Sequence, residues 1–246
     1  MTNKDLISQY VDTGLGIPKY QFNKLSSNDK RTYLRKMEIA IEHNAEKIKY
    51  YYGELPEDKQ LEAVRRTVYS LQYLKNPSYE VQLAAVTKNG YMIQYIEIQT
   101  EELQLAAVNN VGLSIQDIED PSDAVKLAAV KNLGRSIQFI DNPSEKLKLL
   151  AVEQDVGAIQ FIDNPSEQLQ LIAVTQNVKA IQYIKNPSHE IQMIAVKQNP
   201  TAIQAIENPS EDVQLEAVRQ NPKIMLWIKN PTDKVRALYN QLVGNE

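Results

Sequence analysis

Cysteine is absent from the chain. That excludes disulfides, thiol nucleophiles and cysteine-ligated metal sites. Histidine is almost as scarce. His43 and His189 lie in different parts of the chain, and neither belongs to a ligand-spaced cluster, so each reads as a surface or hydrogen-bonded residue. No apolar run approaches the ~18 residues of a membrane span. The opening MTNKDLISQY lacks the apolar core of a secretory leader. Positive charge is not in excess either: the formal net charge is −4, which weighs against nucleic acid as the main partner. Gly14-Leu-Gly16 has neither a preceding strand nor a phosphate-loop lysine, and neighbouring acids such as Glu119 and Asp120 fall where a turn or cap accounts for them. No catalytic constellation can be assembled. The expectation is a protein that is not an enzyme and uses no metal and no cofactor.

What the chain does have is one 22-residue sentence written three times in succession. Residues 142–163 read NPSEKLKLLAVEQDVGAIQFID, 164–185 read NPSEQLQLIAVTQNVKAIQYIK, and 186–207 read NPSHEIQMIAVKQNPTAIQAIE. Looser copies extend the series to about 56–230, eight units in all. A fixed period of this length is the signature of a solenoid, in which one unit is too small to bury its own apolar face and stacks on its neighbours instead. Each unit opens with Asn-Pro-Ser/Thr. Proline disfavours helix at the residue before it, and the Ser or Thr is a preferred N-cap. Acids at Glu145, Glu167, Glu190 and Glu211 suit the first helical turn. A helix of about ten residues then fades near Asp155, Asn177, Asn199 and Asn221, and a shorter helix carries the Ile-Gln-Phe/Tyr-Ile core, with Pro200 and Pro222 suited to its first turn. The expected fold is all-α, an alpha-alpha solenoid of about eight short two-helix repeats.

The columns are strict. One is alanine throughout, from Ala63 through Ala151 and Ala173 to Ala217, and the next is valine, from Val64 to Val218. The alanine column implies close helix approach. A polar column on the apolar side of the long helix reads Gln82, Gln104, Lys126, Lys148, Gln170, Gln192 and Gln214. A second glutamine column, Gln72 to Gln204, points away from the isoleucine face of the short helix and is open to two readings, a solvated face or a partner-reading row. Leu226 and Trp227 interrupt it with an apolar pair, suited either to cover by the last helix or to self-association.

Residues 1–55 lack the repeat and read as an N-terminal helical cap or docking segment. Helices are expected near 5–11, 19–25 and from about 28 to between 43 and 49. Lys30, Arg31, Arg35 and Lys36 with Tyr33 and Tyr50 to Tyr52 make a basic-aromatic cluster, diluted by Glu38, Glu42 and Glu46. Residues 231–246 read as a C-terminal capping helix, because Tyr239 and Asn240 stand where the small alanine and the valine would recur.

Ser122-Asp-Ala-Val-Lys-Leu-Ala-Ala-Val-Lys-Asn-Leu-Gly134 resembles the second helix of a HEAT-type repeat. The 22-residue unit as a whole more closely resembles a repeat of unknown function found in large tailed phages and some intracellular bacteria. The period is shorter than that of HEAT repeats and the first helix is clipped. The resemblance implies a non-catalytic protein-interaction scaffold, encoded by a phage as a virion component or a binder of a host factor, and located in the virion or the host cytoplasm. The alternative it implies is a nucleic-acid-binding HEAT-like solenoid. It also implies that the polar column from Gln82 to Gln214 is a structural ladder, bonded to the inter-helix loops of neighbouring repeats.

The remaining candidate is the position whose character changes along the chain: Ala84, Ala106, Ala128, then Leu150, Ile172, Ile194. Its helical angle places it opposite the ladder, toward solvent. Leu150, Ile172 and Ile194, edged one turn on by Gln154, Gln176 and Gln198, read as a partner-binding stripe with an apolar centre and an amide rim. The partner class expected is protein.

Overall fold

In the computed structural model, residues 2–13, 16–51 and 53–244 are described. Gly14 and Leu15 of the glycine motif, Tyr52 of the aromatic cluster and the final two residues lie outside them. The chain is an all-α solenoid, with no strand among the described residues. Ten-residue helices alternate with six-residue helices: Glu57–Arg66 with Val68–Tyr73, Tyr79–Lys88 with Gly90–Tyr95, and so on to Glu211–Gln220 with Pro222–Trp227. The helix Asp233–Val243 follows.

The punctuation explains the alternation. Asn76, Asn142, Asn164 and Asn186, with Asp120 in the corresponding place, adopt φ between 47 and 50°. Asn and Asp visit this left-handed region more readily than other residues with a side chain. The following proline then redirects the chain, and the Ser or Thr after it accepts a bond from the third helical N–H, as Ser144 does from Leu147 and Ser166 from Leu169. At the far end of the long helix, the asparagine or aspartate where the helix fades starts the next element. Asp155 accepts from Gly157 N, Asn177 from Lys179 N and Asn199 from Thr201 N.

The short elements are 3-10 helices rather than α-helices. They close on bonds three residues back, such as Ile162 N to Ile159 O at 3.2 Å. The tighter turn eclipses residues i and i+3, so Ile159 and Ile162 both point inward and both are buried.

Within each stack, long helix lies on long helix and short helix on short helix. The alanine and valine columns fill the seam, and from Ala85 and Val86 onward none of them retains measurable exposure. At Gly90 and Gly134 the approach is closer still. A β-carbon at Gly90 would stand 2.3 Å from the carbonyl oxygen of Ala107, and at Gly134 2.5 Å from that of Ala151, each in the following repeat.

Residues 1–55 form the helices Asn3–Asp12, Lys19–Lys24 and Ser27–His43 and the 3-10 helix Ala45–Tyr50. The last two already behave as a repeat. Ala40 and Ile41 are buried 23 residues ahead of Ala63 and Val64, and the pair packs on Glu57–Arg66 and Val68–Tyr73. Helix Asn3–Asp12 packs on Ser27–His43 through Ile7 and Val11 in one cluster with Tyr33, Met37 and Ile48. The described residues fall into two compact units, Met1–Ala128 and Ala129–Glu246, divided inside the helix Asp123–Asn132.

Candidate interaction surface

The polar ladder is intramolecular at shorter range than expected. Each of its glutamines donates from Nε2 to the carbonyl five residues back in its own repeat: Gln82 to Pro77 at 2.8 Å, Gln104 to Gln99 at 3.1 Å, Gln170 to Pro165 at 2.9 Å, Gln192 to Pro187 at 3.0 Å and Gln214 to Pro209 at 2.9 Å. The corner ahead of each long helix folds that carbonyl back over the first helical turn, within reach of the side chain; Gln104 and Gln214 make the bond with no left-handed residue at their corner. Gln214 also reaches the next repeat, its Oε1 accepting from Thr232 N at 3.4 Å. Lys126 and Lys148 carry no amide at this position, and Lys148 pairs with Glu145 at 2.7 Å.

Other bonds that cross between repeats come from other columns. The Oγ of the N-cap serine donates to the first-turn carboxylate of the repeat before: Ser78 to Glu57, and Ser122 to Glu101 at 2.5 Å. His189 and Ser210 make the same link at 3.0 Å. At Glu211, hydrogen bonds from Lys234, at 2.6 Å, and from Thr232 hold the carboxyl below its ordinary range. Tyr79 donates forward to Glu102 at 3.0 Å, which pushes its hydroxyl up. On the opposite end of the long helix, Asn110 donates to Thr87 O at 3.0 Å and accepts from Gly90 N at 2.9 Å, and Gln220 donates to Val196 O at 3.3 Å.

The stripe is only partly solvent-facing. Leu150, Ile172 and Ile194 are half-buried, as are Ala84 and Ala106 in the same column, because adjacent long helices pack along their flanks. Gln154, Gln176 and Gln198 are exposed. They occupy the column in which Asn110 and Gln220 tie back to the preceding repeat.

A more exposed row lies on the short helices. Tyr73 and Tyr95 in the first unit, and Phe139, Phe161, Tyr183 and Trp227 in the second, are all 38–45% exposed. Each stands at the last position of its 3-10 helix. The glutamine before each ring up to Tyr183 is exposed. Several of these amides are pinned by a bond to the carbonyl three residues back: Gln72 to Tyr69 at 3.0 Å, Gln94 to Tyr91 at 2.8 Å, Gln138 to Arg135 at 3.1 Å and Gln160 to Gly157 at 2.8 Å. Sequence reasoning singled out the glutamines and missed the rings. Their signal was present as the Phe/Tyr of every Gln-Phe/Tyr-Ile, but an aromatic beside two isoleucines reads as core. Asp117 and Ala205 take the ring's place in two repeats.

Clefts open along this row. In the second unit one runs from Gln138 to Phe161, with Asp141, Asp163 and Lys148 in its walls, and another from Gln204 to Trp227, with Glu207 and Lys229. Their walls are amide and charge more than carbon, unlike the mostly apolar pockets that enclose small ligands. Leu226 is 80% exposed, so the last helix leaves it uncovered.

The basic-aromatic cluster is rearranged by folding. Tyr33 is in the core and donates to Tyr50 O at 2.7 Å, Lys36 donates to Ser8 at 2.7 Å, and Lys30 sits 5.8 Å from the Phe22 ring centre. Among the described residues no group of His, Asp and Glu is placed to hold a metal ion, and no helix is long and apolar enough to cross a membrane. No protein-family model, curated protein or solved structure matches the chain.

Proposed function

We propose that the chain is a non-catalytic scaffold that binds other proteins. The observation that carries this reading is the regular row of half-exposed rings in the second unit, Phe139, Phe161 and Tyr183, each beside a glutamine amide. Aromatic side chains left exposed at a regular spacing are costly for solubility and useful for recognition, since ring and amide together supply contact area and hydrogen bonds at low entropy cost. The repeat's resemblance to those of large tailed phages suggests the setting: a virion component, or a factor acting on a host protein in the host cytoplasm.

Nucleic acid is the less favoured partner. Asp141 and Asp163 share a cleft with Phe161, and a phosphate backbone would meet their charge unfavourably. Tyr33 is buried and so is not free to stack on bases.

The test is affinity capture with the full chain against Phe161→Ala/Tyr183→Ala at matched melting temperature. Proteins held by the wild type and released by the double variant are expected. Identical capture by both would remove the row as the binding site.

A further inference from the structure

We propose that the second unit binds a polypeptide segment in the polyproline II conformation, with a basic residue of that segment seated at the Asp141–Asp163 end of the row. This rests on the scaffold reading and names the partner's chemistry.

The first argument is spacing. Neighbouring short helices of this unit pack on one another, and packed helices lie about 8–10 Å apart, so rings and amides carried one to a short helix recur with a step of that order. A polyproline II helix has three residues per turn at about 3.1 Å each, so it shows the same face roughly every 9.3 Å. Residues i, i+3 and i+6 then meet successive rings. A β-strand covers the same step in about three residues, but its alternation turns i and i+3 to opposite faces. An α-helix repeats its face only after about seven residues, roughly 10.5 Å, and its carbonyls are already bonded within the helix.

The second argument is chemistry. A polyproline II backbone has no internal hydrogen bonds, so its carbonyls are free to accept. Gln138 and Gln160 use one N–H on their own backbone, at 3.1 and 2.8 Å. An amide carries a second N–H and an acceptor oxygen, and the internal bond holds both in place for an incoming chain. Phe139, Phe161 and Tyr183 are part-exposed rings beside these amides, and aromatic-lined grooves take proline-rich segments in this conformation.

The third argument is charge, which gives the row a direction. Asp141 and Asp163 line one cleft with Phe161, and the lysine in that cleft, Lys148, is held by Glu145 at 2.7 Å. The cleft at Trp227 sets Glu207 against Lys229. A cation is favoured at the first end and not at the second.

The experiment is fluorescence anisotropy with the full chain and a labelled oligoproline of about twelve residues, roughly four turns, carrying two arginines at one end. Comparison probes of equal length replace the prolines by alternating glycine and serine, replace the arginines by glutamates, or are oligothymidine. The expected result is saturable binding of the arginine oligoproline, at least about tenfold tighter than the Gly-Ser peptide. Gln138→Ala/Gln160→Ala, two exposed changes that spare the fold, should weaken it by about tenfold or more. Asp141→Asn/Asp163→Asn should abolish the preference for arginine over glutamate while oligoproline binding survives. No oligoproline binding up to about 1 mM, equal binding of the Gly-Ser peptide, or preference for oligothymidine would overturn the proposal. If oligoproline fails while protein capture still depends on Phe161 and Tyr183, this inference falls and the scaffold reading stands. If capture is indifferent to those rings, the scaffold reading of this row falls as well.

Discussion

Ser210 Oγ lies 3.0 Å from Nδ1 of His189, one repeat earlier, and makes no cap bond to its own helix. One hydroxyl faces two demands, the stack and the helix terminus. In this repeat the stack takes it. Where the earlier residue is an acid, as at Glu101, the serine serves both: Ser122 donates to Glu101 and accepts from Val125 N at 3.3 Å.

Ser188→Ala should therefore cost more than Ser210→Ala. Ser188 caps its helix by accepting from Ile191 N, and losing such a cap costs about 0.5–2 kcal/mol. Ser210→Ala removes only an exposed inter-repeat bond. Urea midpoints of the two variants, measured side by side, check the order, and equal values would refute it.

Ala173→Leu should lower stability by about 1–3 kcal/mol through overpacking, because Ala173 has no exposure and the neighbouring helices leave no room. An unchanged midpoint would mean that the seam is looser than the burial implies.

Two glycines of the second unit should respond oppositely to alanine. At Gly134 the new methyl meets backbone, the Ala151 oxygen at 2.5 Å, which cannot give way without parting two repeats. A loss of about 1–3 kcal/mol is expected there. At Gly157 the nearest atom is the far end of Arg135 at 2.7 Å, a half-exposed side chain that can swing aside at the expense of its pair with Asp155. That change should stay within about 0.5 kcal/mol or stabilise slightly. Thermal denaturation of the pair decides.

Ile172→Asp should destabilise the fold, not merely a contact with a partner. The side chain is half-buried between long helices, and full burial of an isoleucine is worth about 1.5–3 kcal/mol, so a loss of about 1 kcal/mol or more is expected. A variant with wild-type stability and lost protein capture would return the Leu150–Ile172–Ile194 stripe to the status of a binding site.

Glu211 links the last described helix to pH. Its carboxyl is held below the ordinary 4.5 by Lys234 first and Thr232 second. A depressed folded-state value means that the stabilisation is present above the unfolded value and is lost as pH falls through the folded one. Glu211→Gln should melt below the wild type at neutral pH and converge with it in acid. Curves that stay parallel to the lowest pH would remove Glu211 from the acid sensitivity.

The architecture was legible because a 22-residue period, an alanine column and an Asn-Pro-Ser corner each have one structural meaning, and all three agree. The ladder was legible in position but not in partner. Whether Gln170 reaches its own Pro165 or the next loop depends on how far the corner folds back, which a residue string does not show. The inter-repeat serine bonds were hidden behind a sufficient explanation, since an acid in a first turn already satisfies the helix dipole. The ring row was hidden by its neighbours: Phe161 lies between Gln160 and Ile162, and the 3-10 geometry that turns it outward while Ile162 points in is a tertiary outcome.

The apolar seam is degenerate, and this has a consequence for assembly during folding. Ala151, Ala173 and Ala195, with Val152, Val174 and Val196, present nearly the same socket three times, so a repeat sliding by one unit would find almost the same hydrophobic fit. Some polar pairs do not repeat. Arg135 pairs with Asp155 at 2.6 Å, where the later repeats place Lys179 and Thr201 opposite Asn199 and Asn221. Such a part-exposed pair adds little equilibrium stability, but it marks one neighbour as different from blocks that are otherwise interchangeable.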